Sequence, residues 1–258
     1  MPFTISHAGA VLPFGRFLRR WRIASATVIG SMVPDFGLFW PGRLPRVETH
    51  RASALLTFSL PVGLIVFWVF QKLLKTPLIE LLPDGAYALA RPWAAPARIT
   101  DPRQWVLAAS GILVGAITHL VLDGFTHSDG RGVRLLPVLD DAVVKIHGHG
   151  IFGYVAMQQA FSIVGLAIVV LFLWRALSAA APPGPALPRR LPAAARLRWM
   201  LALGFFTGIA SLLAFYPHRW ILHVHLPSYL IATIAVACLR GLAVALVVIA
   251  TALSLRLR

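Results

Sequence analysis

The sequence predicts an all-α fold: a polytopic membrane helix bundle with about five transmembrane helices and an amphipathic N-terminal helical part. Three observations predict it. Hydrophobic residues make up 58% of the chain and charged residues 13%, against about 45–50% and about 25% in soluble domains. From residue 53 onward, apolar runs recur, each close to the roughly 20 residues that cross a bilayer. The 24 Lys+Arg, against 9 Asp+Glu, lie mostly between those runs. There they meet anionic headgroups, so membrane lipids are the expected partners and no nucleic acid is expected.

The elements follow in chain order. Residues 5–20 read as a short amphipathic helix, with Arg19, Arg20 and Arg22 at its end. The stretch 23–40 begins apolar and small, then meets Pro34-Asp35, so it reads as a helix packed against the membrane domain. Residues 41–51 are a polar, proline-broken connection. Candidate spans are 53–71, where Pro61 predicts a kink, 104–123, 151–174, 199–217 and 227–255, where Arg240 predicts a tilt or break. A mixed loop is expected at 72–103 and a Pro/Ala/Arg-rich linker at 176–198. Three parts result: a metal-site membrane domain at 1–175, the linker at 176–198 and a C-terminal transmembrane helix pair at 199–258. Cys238 is the lone cysteine, read as inert packing, and excludes an intrachain disulfide. No cleavable signal peptide is expected, and the basic N-terminal part predicts a cytoplasmic-face site in a bacterial inner membrane.

The chemistry sits in rare polar residues at the edges of apolar runs. His119, Asp123 and His127 recur at a spacing of four, which puts His119 and Asp123 on one helix face. Such a pair can hold a divalent cation. A lone histidine there would read better as a cap at the interface; three ionisable groups in register favour a site. His7, Asp35 and His50 have the same style, and Asp123 can bridge two ions. His147 and His149 flank the start of the third span. Alternation of the spans places His50, His119, His127, His147 and His149 on one membrane face. His218, His223 and His225, near Tyr216 and Trp220, read as an interfacial belt. Asp129, Asp140 and Asp141 lie in the loop near His127, as a possible base or ligand or as solvated charges. Arg51, Arg131 and Arg134 are candidates to bind phosphate oxygens, or simply to snorkel. The sequence has no GxSxG, P-loop or HExxH motif, and no GxGxxG followed by an acidic residue.

The blocks MPFTISHAGAVLP, GSMVPDF, HRASALLTFSLPVG and GAITHLVLDGFTHSDG resemble the bacterial membrane family called domain of unknown function 4184 (DUF4184). Their order of ligands is similar to that of YdjM-type membrane-bound metal-dependent hydrolases. More distantly it resembles the zinc-dependent phospholipase C and single-strand nuclease superfamily. That resemblance implies one zinc on Asp35, His50, His119 and Asp123, and a second, bridged site using His7 and Asp123. It matches His127 and one of His147 or His149 to a third. No acidic residue stands four positions after either of the last two, so a one- or two-metal site is expected. The cofactor expected is a divalent metal, zinc being favoured. The activity expected is hydrolysis of a phosphoester, lipid-linked ones included. The alternative is a non-catalytic membrane scaffold or sensor with a structural metal; a metal transporter fits less well, since no span carries a polar stripe.

Overall fold

The computed structural model describes residues 4–20, 23–39, 45–90, 101–146, 149–178, 191–216 and 227–256. Among them, five helices are long and apolar enough to cross a membrane: Leu55–Leu81, Pro102–Asp123, Gly153–Leu177, Ala193–Phe215 and Thr233–Arg256. The described chain separates into two units, residues 1–68 with 98–175, and residues 69–97 with 176–258.

The first unit opens with a 3-10 turn, Thr4–His7, running into α1 (Ala8–Val11). A second turn, Leu12–Phe14, leads to α2 (Gly15–Arg20). Then come α3 (Ala24–Gly30), a 3-10 stretch at Val33–Phe39 and α4 (Arg46–His50). The first span has α5 (Leu60–Val69) at its centre, preceded by a π-helical turn at Leu55–Ser59. The wide turn stands just before Pro61, which lacks an N–H to donate. A second π-helical turn, Phe70–Leu74, carries this helix into α6 (Lys75–Leu81), ten residues past the expected end at 71. Pro77 follows this second π-helical turn as Pro61 follows the first. A short α7 (Asp84–Ala90) follows. The second span is α8 (Pro102–Asp123), whose Asp101 side chain caps it by accepting from Arg103 N–H at 2.9 Å. Beyond α9 (Arg131–Leu135) a small antiparallel hairpin forms, β1 (Ala142–Ile146) against β2 (His149–Phe152), with Ile146 opposite His149. It was not legible in the sequence, but it is minor beside the helices. The third span is α10 (Gly153–Leu177).

Small residues determine how the unit packs. The buried stripe of α8 is Ala108, Gly111, Ile112, Gly115, Ala116, His119 and Asp123. Its opposite face exposes Val106, Val114, Ile117 and Val121. That inverts the soluble pattern, as expected when lipid is the solvent and the polar side chains must face inward. The stripe packs on Ala26, Thr27, Gly30 and Ser31 of the α3 segment. A Cβ on Gly30 would collide with the Ile112 backbone, and one on Gly115 with the Thr27 carbonyl and the Ser31 nitrogen. The two backbones therefore touch, as small residues permit in membrane helices.

The second unit contains α6, α7, α11 (Ala193–Phe215) and α12 (Pro227–Arg256). Its core is Leu81, Leu191, Ala195 and Leu253, with Trp199 against it. α11 starts inside the stretch expected as linker. Extended Pro192 precedes it, accepting from Ala195 N–H, and Arg196 donates to the Leu82 carbonyl at 3.0 Å. α12 runs unbroken through Arg240. Cys238 is exposed on it, so the packing role read from the sequence is corrected. Residues 179–190 of the expected linker, and His218, His223 and His225, lie outside the described residues.

Candidate metal centre

The centre gathers where four elements meet: the last turn of α8, the turn at Thr4–His7, the 3-10 stretch holding Asp35, and α4. His119 and Asp123, one turn apart, complete the buried stripe of α8. The close approach of α3 brings the Ser31 carbonyl to His119, which donates from Nδ1 at 2.8 Å. This fixes the tautomer and turns Nε2 toward the cluster. His50 is fixed in the same way. Its Nδ1 faces the Arg46 carbonyl at 3.2 Å and the Thr49 hydroxyl at 2.8 Å. The hydroxyl itself donates to the Arg46 carbonyl at 3.3 Å, so His50 Nδ1 carries a hydrogen and Nε2 points inward.

Four inward atoms then form a compact set. His50 Nε2 lies 3.2 Å from His119 Nε2, 3.3 Å from Asp123 Oδ2 and 3.4 Å from Asp35 Oδ1. His119 Nε2 lies 3.6 Å from Asp35 Oδ1 and 3.7 Å from Asp123 Oδ2. Ligands of a tetrahedral zinc, about 2.0–2.1 Å from the ion, stand about 3.4 Å from one another. His7 approaches from the other side. Its ring stacks on His119 at 3.7 Å between centroids, and its Nε2 is 3.6 Å from Asp123 Oδ1. Two groups of donors, Asp35/His50/His119 and His7/His119/Asp123, can each hold a metal ion. The two oxygens of Asp123 face different partners, so this carboxylate can bridge.

The donors are buried and underused. His7, Asp35, His119 and Asp123 are each at most 2% exposed. Both ring nitrogens of His7, both oxygens of Asp35 and Oδ1 of Asp123 have no hydrogen-bond partner. Buried polar atoms left so are costly, and each needs a reason; a cation held by the set would supply one. Burial, with His119 close by, pushes His7 down to about 4. Burial would lift the Asp35 carboxyl, but the approach of His50 at 3.4 Å and the His119 and His7 charges outweigh it and hold it low. Burial would lower His50, but the close approach of the Asp123 and Asp35 carboxylates outweighs it and raises the imidazole.

The structure thus brings together His7, Asp35, His50, His119 and Asp123. His127 stands beside them. Its Nδ1 donates toward the Asp123 carbonyl at 3.1 Å and lies 3.7 Å from Asp123 Oδ2, and its Nε2 is buried without a partner. His147 lies outside the described residues, and of His149 only the backbone, in β2, is described. Arg51 pairs with exposed Glu48 at 2.7 Å. Arg131 is exposed at the start of α9, and Arg134 donates to the Asp129 carbonyl at 2.8 Å. Sequence reasoning passed over Arg46, which reaches Asp123 Oδ2 at 3.4 Å and both oxygens of Asp129 at 3.2 and 3.3 Å. Its place four residues before His50, one helical turn away, was the available signal.

Fold and centre together define an all-α polytopic membrane protein with a buried His/Asp cluster able to hold a metal ion. The chain belongs to the family described as domain of unknown function (DUF4184), whose family model matches residues 1–251. That match extends well past residue 175, so it takes in α11 and most of α12. No curated protein and no solved structure matches the chain.

Proposed function

We propose that the cluster is a zinc centre and that the protein is a membrane-embedded hydrolase of phosphoesters, lipid-linked ones included. The observation that carries this reading is the set of five separations of 3.2–3.7 Å among Asp35, His50, His119 and Asp123. They suit ligands around one ion better than hydrogen bonds, because both imidazoles already spend their Nδ1 hydrogens elsewhere. A bound divalent ion lowers the pKa of its water to about 7 and polarises a phosphoryl oxygen. The chain's part is to hold Nε2 of His50 and His119 as acceptors, to keep both carboxylates ionised and to keep lipid from the donors. His127, whose buried Nε2 has no partner, stands beside the set as a further donor. The basic stretch ahead of the first span supports a bacterial inner membrane with the site on its cytoplasmic face.

A second reading has its own observation. Four protein donors fill a tetrahedron, and closed sites are structural, whereas catalytic zinc keeps an open position. A scaffold or sensor would need only that ion. Catalysis would need a second ion, held by His7 and Asp123 Oδ1 with positions left open. Metal analysis and bis(p-nitrophenyl) phosphate turnover by protein purified in detergent separate the two. Zinc with turnover that is lost in His7→Ala supports the hydrolase. Zinc without turnover of this or a phospholipid substrate supports the scaffold. Absence of tightly bound metal from a folded protein overturns both.

A further inference from the structure

We infer that Arg46 is the anion-recognising residue of this centre, and that the Asp129 carboxylate occupies it until a phosphate oxygen takes its place. The inference rests on the zinc reading above and names the group the substrate must carry. Arg46 lies one turn before His50 on α4, and its carbonyl accepts from His50 Nδ1. The same residue therefore orients a ligand with its backbone and extends its guanidinium to the edge of the cluster. It is 26% exposed by side chain, against 4% or less for His7, Asp35, His50, His119 and Asp123. The guanidinium is where the buried set meets solvent.

Its present partners are replaceable. Its NH2 group is 3.4 Å from Asp123 Oδ2, an oxygen that also faces His50 and His119 and that a bound cation would claim. Its NH1 group divides between the two oxygens of Asp129, and its Nε is buried without a partner. Asp129 is 69% exposed, and exposed ion pairs contribute little net stability. The Asp129 backbone is held separately, because its carbonyl accepts from Arg134. The carboxylate can therefore turn into water without unfolding the loop. A guanidinium released in this way offers a planar fork that matches two phosphate oxygens, next to the cation. The ligand chemistry is a phosphate ester anion, of a lipid headgroup or of a soluble ester.

The test uses zinc-loaded, full-length protein in phosphatidylcholine nanodiscs, with inorganic phosphate titrated by calorimetry. Arg46→Ala is expected to weaken phosphate at least tenfold with zinc content unchanged, and Arg46→Lys to weaken it less. Asp129→Asn is expected to tighten phosphate severalfold in the natural background and to change nothing in Arg46→Ala. A gain that persists without Arg46 is general charge relief and overturns the exchange. Unchanged phosphate affinity in Arg46→Ala overturns the anion site while leaving the zinc reading intact. Should Arg46→Ala lose zinc, Asp129→Asn decides alone, and no gain there overturns the inference. A natural protein without zinc fails the underlying reading first, at the metal analysis. Phosphatidic acid in the nanodisc competing with phosphate, in an Arg46-dependent way, assigns the site to a headgroup. Arg46-dependent phosphate binding without that competition assigns it to a soluble ester.

Discussion

His50 Nε2 and His119 Nε2 face each other at 3.2 Å, although each ring's Nδ1 is already turned to a carbonyl oxygen. Two neutral imidazoles so oriented would set lone pair against lone pair. A proton or a cation between them removes the conflict, and the carboxylates of Asp35 and Asp123 beside them supply the balancing charge. Asp123 is the residue most shared, reaching His7, His50, His119, His127 and Arg46. Asp123→Asn keeps the volume and removes the charge. It is expected to cut bound zinc at least tenfold, read by metal analysis after dialysis against a weak chelator. Full zinc retention would show that this carboxylate is not a ligand.

In the metal-free protein the proton is the natural occupant. The neighbouring Asp123 and Asp35 carboxylates raise His50 above its ordinary value of 6.5 despite burial. On the zinc reading the ion must displace that proton below the raised value, and its affinity should climb as pH rises through it. Calorimetry in buffers of different ionisation enthalpy should show more protons released per ion below the raised value than above it. His50→Ala should abolish that dependence. The stability sign runs the other way. A raised folded value stabilises fully below 6.5 and loses its contribution as pH rises through it, so metal-free protein weakens in alkali. A buffer-independent enthalpy would refute the proton exchange.

His7 gives the opposite slope. Burial and neighbouring His119 push it to about 4, so between about 4 and 6.5 the unfolded chain binds the proton better. Its contribution to stability is complete above 6.5 and is lost as pH falls through about 4. His127 is lowered too, chiefly by burial. The Tm of metal-free protein in detergent should therefore rise from pH 4.5 to 6.5. His7→Leu should flatten most of that rise, and an unchanged slope would show that His7 titrates normally.

What was readable in the sequence follows from what the bilayer enforces. Spans are visible because length and hydropathy must match lipid, and Asp35, His119 and Asp123 are visible because ionisable groups beside apolar runs are costly. Boundaries were less visible. Helix Leu55–Leu81 continues past 71 and α11 begins at Ala193 because local packing and the Pro192 stop decide them, and neither leaves an apolar signature. Arg46 was hidden among the other arginines between residues 16 and 51, since a guanidinium beside a ligand and one beside a headgroup read alike. The Ser31 carbonyl that orients His119 could not be seen at all, because a backbone acceptor has no residue type.

The helix approach that delivers this carbonyl makes its own prediction. Gly115 leaves no room for a side chain, whereas nothing lies within 4 Å of a Cβ placed on Gly204. Gly115→Ala should push α3 from α8 at a cost of about 1–3 kcal/mol. It should lengthen the Ser31–His119 contact and lower zinc affinity about tenfold or more. Gly204→Ala should change neither the thermal midpoint nor zinc. Equal behaviour of the two variants would show that the close α3–α8 contact does not shape the centre.

Thr49 isolates orientation from ligation. It is 2% exposed, touches no carboxylate, and places its hydroxyl 2.8 Å from His50 Nδ1 and 3.3 Å from the Arg46 carbonyl. Valine has nearly the same shape without the hydroxyl, so Thr49→Val removes the contact and leaves the packing. His50 then depends on the Arg46 carbonyl alone, and more of its rotations and tautomers compete with the one that aims Nε2 inward. Loss of such an orienting partner typically costs about 10–100-fold in metal affinity. Thr49→Val should fall in that range and Thr49→Ser should restore most of it. Nitrogen-15 histidine spectra of metal-free protein should show His50 losing its preference for hydrogen on Nδ1. If Thr49→Val binds zinc as well as the natural protein, backbone geometry alone orients His50.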